Sequence, residues 1–110
     1  VRPLLLVLLL GACQPGPAPE TARGLALVPA AGGLDVAGSG GREIGFGRDR
    51  LGAIESAAKV TGLRPRAVAC AAPGRDAVRF GELEMVFERG AFTGWRTPEG
   101  AAGAACGGTV

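Results

Sequence analysis

Glu82-Leu83-Glu84-Met85-Val86-Phe87-Glu88 is the stretch whose reading decides the fold. Leu83, Met85 and Phe87 fall on one side of an extended chain, while Glu82, Glu84 and Glu88 share the other with Val86. Successive side chains of a strand point to opposite faces, so this period of two predicts a half-buried antiparallel strand. The acidic side reads as a solvated face. Arg89-Gly90 then reads as a two-residue turn, and Ala91-Phe92-Thr93-Gly94-Trp95 as the returning strand. That turn places Phe92 opposite Phe87, with both rings in the core. A three-residue loop with a glycine bulge would instead put Phe92 on the opposite face. Trp95, the sole tryptophan, reads as core or sheet-edge packing, with an exposed ligand contact as the rival.

Upstream of this hairpin, residues 66–70 resemble another strand, and residues 71–76, with Pro73 and Gly74, a loop. Leu51, Ile54, Ala57 and Ala58 recur at three- and four-residue spacing, which predicts a helix over 50–61. Asp49 is its expected N-cap and Gly62 its left-handed stop, and Pro65 prevents a restart. Glu55 precedes Lys59 by four, an expected surface pair worth only about 0.2–0.5 kcal/mol. The apolar stripe is thin, so the helix needs a sheet to lie on. Further upstream, residues 25–28 between Gly24 and Pro29 read as a first strand. Residues 34–46 read as a hairpin around the Gly38-Ser39-Gly40-Gly41 turn, with Ile44 and Phe46 on one face. These pieces predict an α+β domain over 24–97: one helix packed on a small antiparallel sheet of four or five strands. Residues 98–110 form a Gly/Ala-rich tail with almost no large side chain, expected to be ordered only where Cys106 ties it down.

The start of the chain carries a different signal. Seven apolar residues, 4–10, follow Arg2 and precede Gly11, Ala12 and Cys13. As a helix the run is about 10 Å long, whereas a bilayer crossing takes roughly 20 residues. A basic start, a short apolar core and small residues before a cut site make a secretory signal. Leu10-Gly11-Ala12-Cys13 resembles a bacterial lipobox. The resemblance implies a signal peptide over 1–12, cleavage before Cys13 and lipidation of that cysteine, hence membrane attachment through a lipid anchor. Residues 13–23 then make a lipidated, Pro/Gly-rich tether of extended backbone. Gln14 is not the aspartate that retains many lipoproteins in the inner membrane, so the implied address is the periplasmic face of the outer membrane.

With Cys13 lipidated, Cys70 and Cys106 remain in an oxidising space with one intramolecular pairing open to them. Free or intermolecularly bonded thiols are the rival. The net charge of +2 approaches neutrality once Arg2 is removed, which leaves no polybasic surface for nucleic acid. Histidine is absent, and two cysteines do not complete a zinc shell, so no metal is expected.

Residues 45–52, GFGRDRLG, form a glycine turn feeding a helix N-terminus, which can bind an anion. Arg42, Gly47, Arg48 and Arg50 are the candidate residues. The spacing matches neither the dinucleotide fingerprint nor the P-loop, so no cofactor is expected, and the Asp49 carboxylate competes for the same donors. The leading expectation is therefore a simple cap. No catalytic residues are assigned: Ser39 and Ser56 have no base beside them, and Glu82, Glu84 and Glu88 have no apolar pocket to raise a pKa. The run IGFGRDRLGAIESAAKVTGLRP over 44–65, followed by FTGW at 92–95, resembles small uncharacterised bacterial lipoproteins. It is also loosely similar to the helix-plus-meander modules of outer-membrane assembly accessory lipoproteins. The leading reading is a non-catalytic periplasmic lipoprotein acting through protein contacts, with the exposed sheet edge and Trp95 as the candidate surface, and an enzyme fares worst for want of catalytic residues. The rival is a module binding an anionic envelope ligand at the glycine loop.

Overall fold

The computed structural model describes residues 24–107. The expected signal peptide, Cys13 and the expected tether, residues 1–23, lie outside the described residues. Within them the order is β1 (Ala26–Ala30), β2 (Gly33–Ala37), β3 (Glu43–Gly45), α1 (Arg50–Thr61), β4 (Arg66–Val68), β5 (Arg75–Phe80), β6 (Leu83–Glu88), β7 (Ala91–Thr97) and β8 (Gly100–Gly103). One helix and antiparallel strands make the fold α+β, but the strands form two sheets rather than one. β1-β2-β3 and β4-β5-β6-β7-β8 are separate meanders with α1 between them in sequence. The reason lies in the helix. Its fully buried residues are only Ala53 and Ala57, and Leu51, expected on the packed face, is 64% exposed. So small a face does not cover a five-stranded sheet. Leu34, Val36 and Ile44 of the small sheet complete the second layer against Val78, Phe80, Met85, Phe87, Phe92 and Trp95.

The central hairpin follows the pattern of its sequence. Arg89 (φ 52°) and Gly90 (φ 77°) are both left-handed, as a two-residue turn matched to strand twist requires. Phe87 pairs with Phe92, and both rings are fully buried. A bulge follows, because Val86 pairs with Gly94 and leaves Thr93 as the extra residue. Phe92 and Trp95 are three positions apart, and only that extra residue lets both face inward. The Phe92 ring meets Phe46 edge-on at 5.1 Å and Phe87 at 5.8 Å. Trp95 donates its indole N–H to the Ala30 carbonyl at 2.7 Å, which ties the two sheets together.

The expected hairpin over 34–46 forms as β2 and β3, with Leu34 opposite Ile44. The helix has the expected bounds; Asp49 Oδ2 accepts from Gly52 N at 2.7 Å, and Gly62 closes the last turn through Ala58 O. Three expectations need correction. β5 occupies residues read as loop or left unassigned, and it pairs with β6 along its whole length. Arg75, Asp76 and Arg79 break up its apolar signal, and only Val78 and Phe80 mark the inward face. Second, Gly100–Gly103 pairs with β7 as β8, because a ladder of backbone hydrogen bonds needs no large side chains. Third, the acidic side of β6 is not simply solvated: Glu84 is 8% exposed beside Arg79 at 3.5 Å, and Val86 is 1% exposed.

The tail explains the burial of Val86, while Glu84 sits in the next row between Arg79 and Arg96. Beyond β8, residues 104–107 turn back over the outer face of the large sheet. Ala104 N donates to Thr93 O, Ala72 N donates to Cys106 O, and Arg75 Nη1 donates to Ala105 O at 2.7 Å. Ala77, Val86 and Gly94 form one cross-strand row beneath this crossing. A side chain at Gly94 would overlap the Ala104 backbone. Cys70 and Cys106 meet in a disulfide with Cα atoms 4.7 Å apart, which joins the chain after β4 at one sheet edge to the chain after β8 at the other.

Candidate functional site

The glycine loop before α1 is held as structure. Gly47 N donates to Phe92 O, Arg48 N to Gly45 O, Arg50 N to Gly90 O and Ala53 N to Asp49 O. A bridge between Asp49 and Ala91 completes the seam with the β6–β7 turn. With the Asp49 carboxylate on Gly52 N, these donors face protein, and the loop has the geometry of a cap. Arg50 is committed as well. Its Nε and Nη2 both donate to Asp76 Oδ2, at 2.9 and 2.7 Å, and its guanidinium lies 5.2 Å from the Phe87 ring centre. Both partners are about half exposed, so the pair orients α1 on β5 more than it stabilises, at about 0–1 kcal/mol.

Arg42 and Arg48 meet elsewhere. They line a cavity of about 230 Å³ between the β2–β3 turn and the flank of α1, together with Lys59, Ser39, Ser56 and Glu43. Its apolar lining includes Ile44 and Val36. Arg48 reaches across the helix flank to donate to Ser56 Oγ at 3.3 Å and passes Asp49 Oδ1 at 3.7 Å. Ser39 Oγ donates to Val36 O at 2.6 Å and accepts from Arg42 N at 3.0 Å, which fixes the turn carrying Arg42. The ion pairs among the described residues are Arg48–Asp49, Arg50–Asp76, Arg75–Glu88 and Arg79–Glu84. The expected Glu55–Lys59 pair is not among them. Lys59 and the two serines were not assigned to a site from sequence, yet Ser56 and Lys59 stand at i, i+3 on one helical flank, a spacing that brings side chains together.

A second concavity, of about 450 Å³, lies beside β1, which pairs with β2 on one side alone among the described residues. Leu27, Val60, Phe80 and Leu83 supply apolar lining, and Glu82 and Glu99 are the charged residues at its margin. Pro29 on β1 lacks an N–H, which blunts this edge against pairing with a further strand. A third concavity, of about 640 Å³ on the outer face of the large sheet, mixes Arg79 and Arg96 with Glu82, Glu84 and Glu99. Trp95 is 8% exposed and engaged with Ala30, which matches its reading as core packing and leaves no exposed surface for the rival role at a contact site.

No protein-family model, curated protein or solved structure matches the chain.

Proposed function

We propose that this chain is a lipid-anchored, non-catalytic protein of the bacterial envelope, tethered through Cys13 on the periplasmic face of the outer membrane, that docks a partner protein beside β1. The observation that carries the docking reading is the groove between β1, the end of α1 and the β5–β6 turn. Its apolar lining with Glu82 and Glu99 at the margin suits a segment that inserts an apolar side chain and flanks it with arginine or lysine. Pro29 favours side-chain docking over strand addition. The Cys70–Cys106 bond supports the address, since such bonds persist in oxidising compartments.

A photo-crosslinking residue at Glu99, on the groove margin, tests this in cells. It should trap a discrete envelope protein, whereas the same residue at exposed Arg66, on the outer face of the sheet, should not. Identical products from both positions, or none from Glu99, would discard the groove as the docking surface.

A further inference from the structure

We propose that the cavity between the β2–β3 turn and α1 binds a phosphate group, presented by a ligand with a small apolar portion. Three cations from three different elements converge there: Arg42 from the turn, Arg48 from the loop before the helix, and Lys59 from the helix itself. Glu43 is the carboxylate in the lining, and Asp49 Oδ1 lies 3.7 Å from Arg48 Nε, so the three cations outnumber the carboxylates beside them. Gathering like charges is unfavourable unless an anion joins them. Among the described residues, the Arg42 guanidinium and the Lys59 ammonium make no ion pair. Lys59 lines this cavity and makes no ion pair with Glu55, although Glu55 stands four residues before it on the same helix.

Part of the site is fixed before any ligand arrives: the backbone of the turn that carries Arg42, and the Arg48 side chain. Ser39 fixes the turn beneath Arg42 through its two hydrogen bonds, and Ser56 holds Arg48 across the helix flank. Ser56 accepts from Arg48, so its own O–H remains to donate into the cavity. Donors approaching from several directions suit the tetrahedrally arranged oxygens of a phosphate, whereas a planar carboxylate is satisfied by one arginine fork. Buried Ile44 and Val36 below the cations provide an apolar floor for the carbon next to the phosphate. At about 230 Å³ the cavity is smaller than the usual drug-sized pocket, so it fits a headgroup or small ester rather than a nucleotide. This site is distinct from the helix N-terminus, where Asp49 takes Gly52 N and the β6–β7 turn takes Arg50 N.

Such a phosphate has two sources, a lipid headgroup or a soluble ester, and the test separates them. The full chain in neutral detergent is titrated calorimetrically with inorganic phosphate, glycerol 3-phosphate and glycerophosphoglycerol, with chloride at matched ionic strength as the blank. Saturable binding is expected for at least one phosphate probe. Tighter binding of the diester assigns a lipid headgroup, and tighter binding of inorganic phosphate or the monoester assigns a soluble ligand. Arg42→Ala and Lys59→Ala should each weaken the preferred probe by about tenfold. Lys59→Arg should retain most of the affinity, and Arg66→Ala, on the far face, should change nothing. Heats no different from chloride for all three probes, or a loss in Arg66→Ala equal to that in Arg42→Ala, would overturn the proposal.

Discussion

Gly94 shows how much one residue settles. It lies in the row under the returning tail, and the Ala104 backbone takes the space a side chain would fill. Gly94→Ala therefore forces either the tail or β7 to move. Overpacking of this kind costs about 1–3 kcal/mol, read as a lower midpoint in chemical denaturation of the oxidised protein. Because the tail also shields Val86, the variant should bind more of a hydrophobic dye than its parent. An unchanged midpoint with unchanged dye binding would mean that the tail does not rest on Gly94. Asp49 acts at the same scale: one carboxylate on Gly52 N both starts α1 and occupies the position an anion would need at the helix end.

At the scale of elements, the tail and β8 are held by backbone hydrogen bonds and by the bond between Cys70 and Cys106, which are 36 residues apart. Apolar packing contributes little there, since β8 is Gly100-Ala101-Ala102-Gly103. In the loop-entropy account a bridge of this span stabilises by about 4 kcal/mol. Cys70→Ser/Cys106→Ser should lose much of that, and hydrogen exchange should quicken first at β8 and residues 104–107 before the β6–β7 hairpin. Equal protection of β8 in parent and variant would show that the backbone ladder suffices. Natively prepared protein should also be lighter by two protons than its reduced form in mass spectrometry, and two alkylatable thiols would count against the bond. β5 is the element that pattern reading misses. Its identity rests on pairing with β6 across a two-residue turn, Gly81-Glu82, rather than on any strong apolar period of its own.

For the whole molecule, two meanders share one core, and α1 packs on it through buried Ala53 and Ala57 with Ile54, Ala58 and Val60 partly buried beside them, while Trp95 joins the sheets by one hydrogen bond. The groove beside β1 lies where parts of the two meanders and the helix come together, the cation-lined cavity lies between the first meander and the helix, and both are lined in part by Leu25, next to Gly24 where the described chain begins. The proposed anchor puts the membrane on the other end of the tether. Cys13→Ser should therefore shift the protein out of the membrane fraction or leave its signal peptide uncleaved. A variant that matures and sediments with membranes like the parent would remove the lipid anchor from the proposal.

What the sequence determined by itself was local. The β6–β7 hairpin, its inward Phe87 and Phe92, the bounds of α1, its Asp49 cap and its Gly62 stop were all legible. Each depends on side-chain period or on a backbone conformation that a few neighbouring residues select. Tertiary structure decided the rest. The split into two sheets, the recruitment of β5 and β8, the burial of Glu84 and the place of Lys59 beside the β2–β3 turn involve partners distant in sequence. Weakly apolar strands such as these carry little signal of their own, and it is the backbone ladder and the surface available on their neighbours that make them strands.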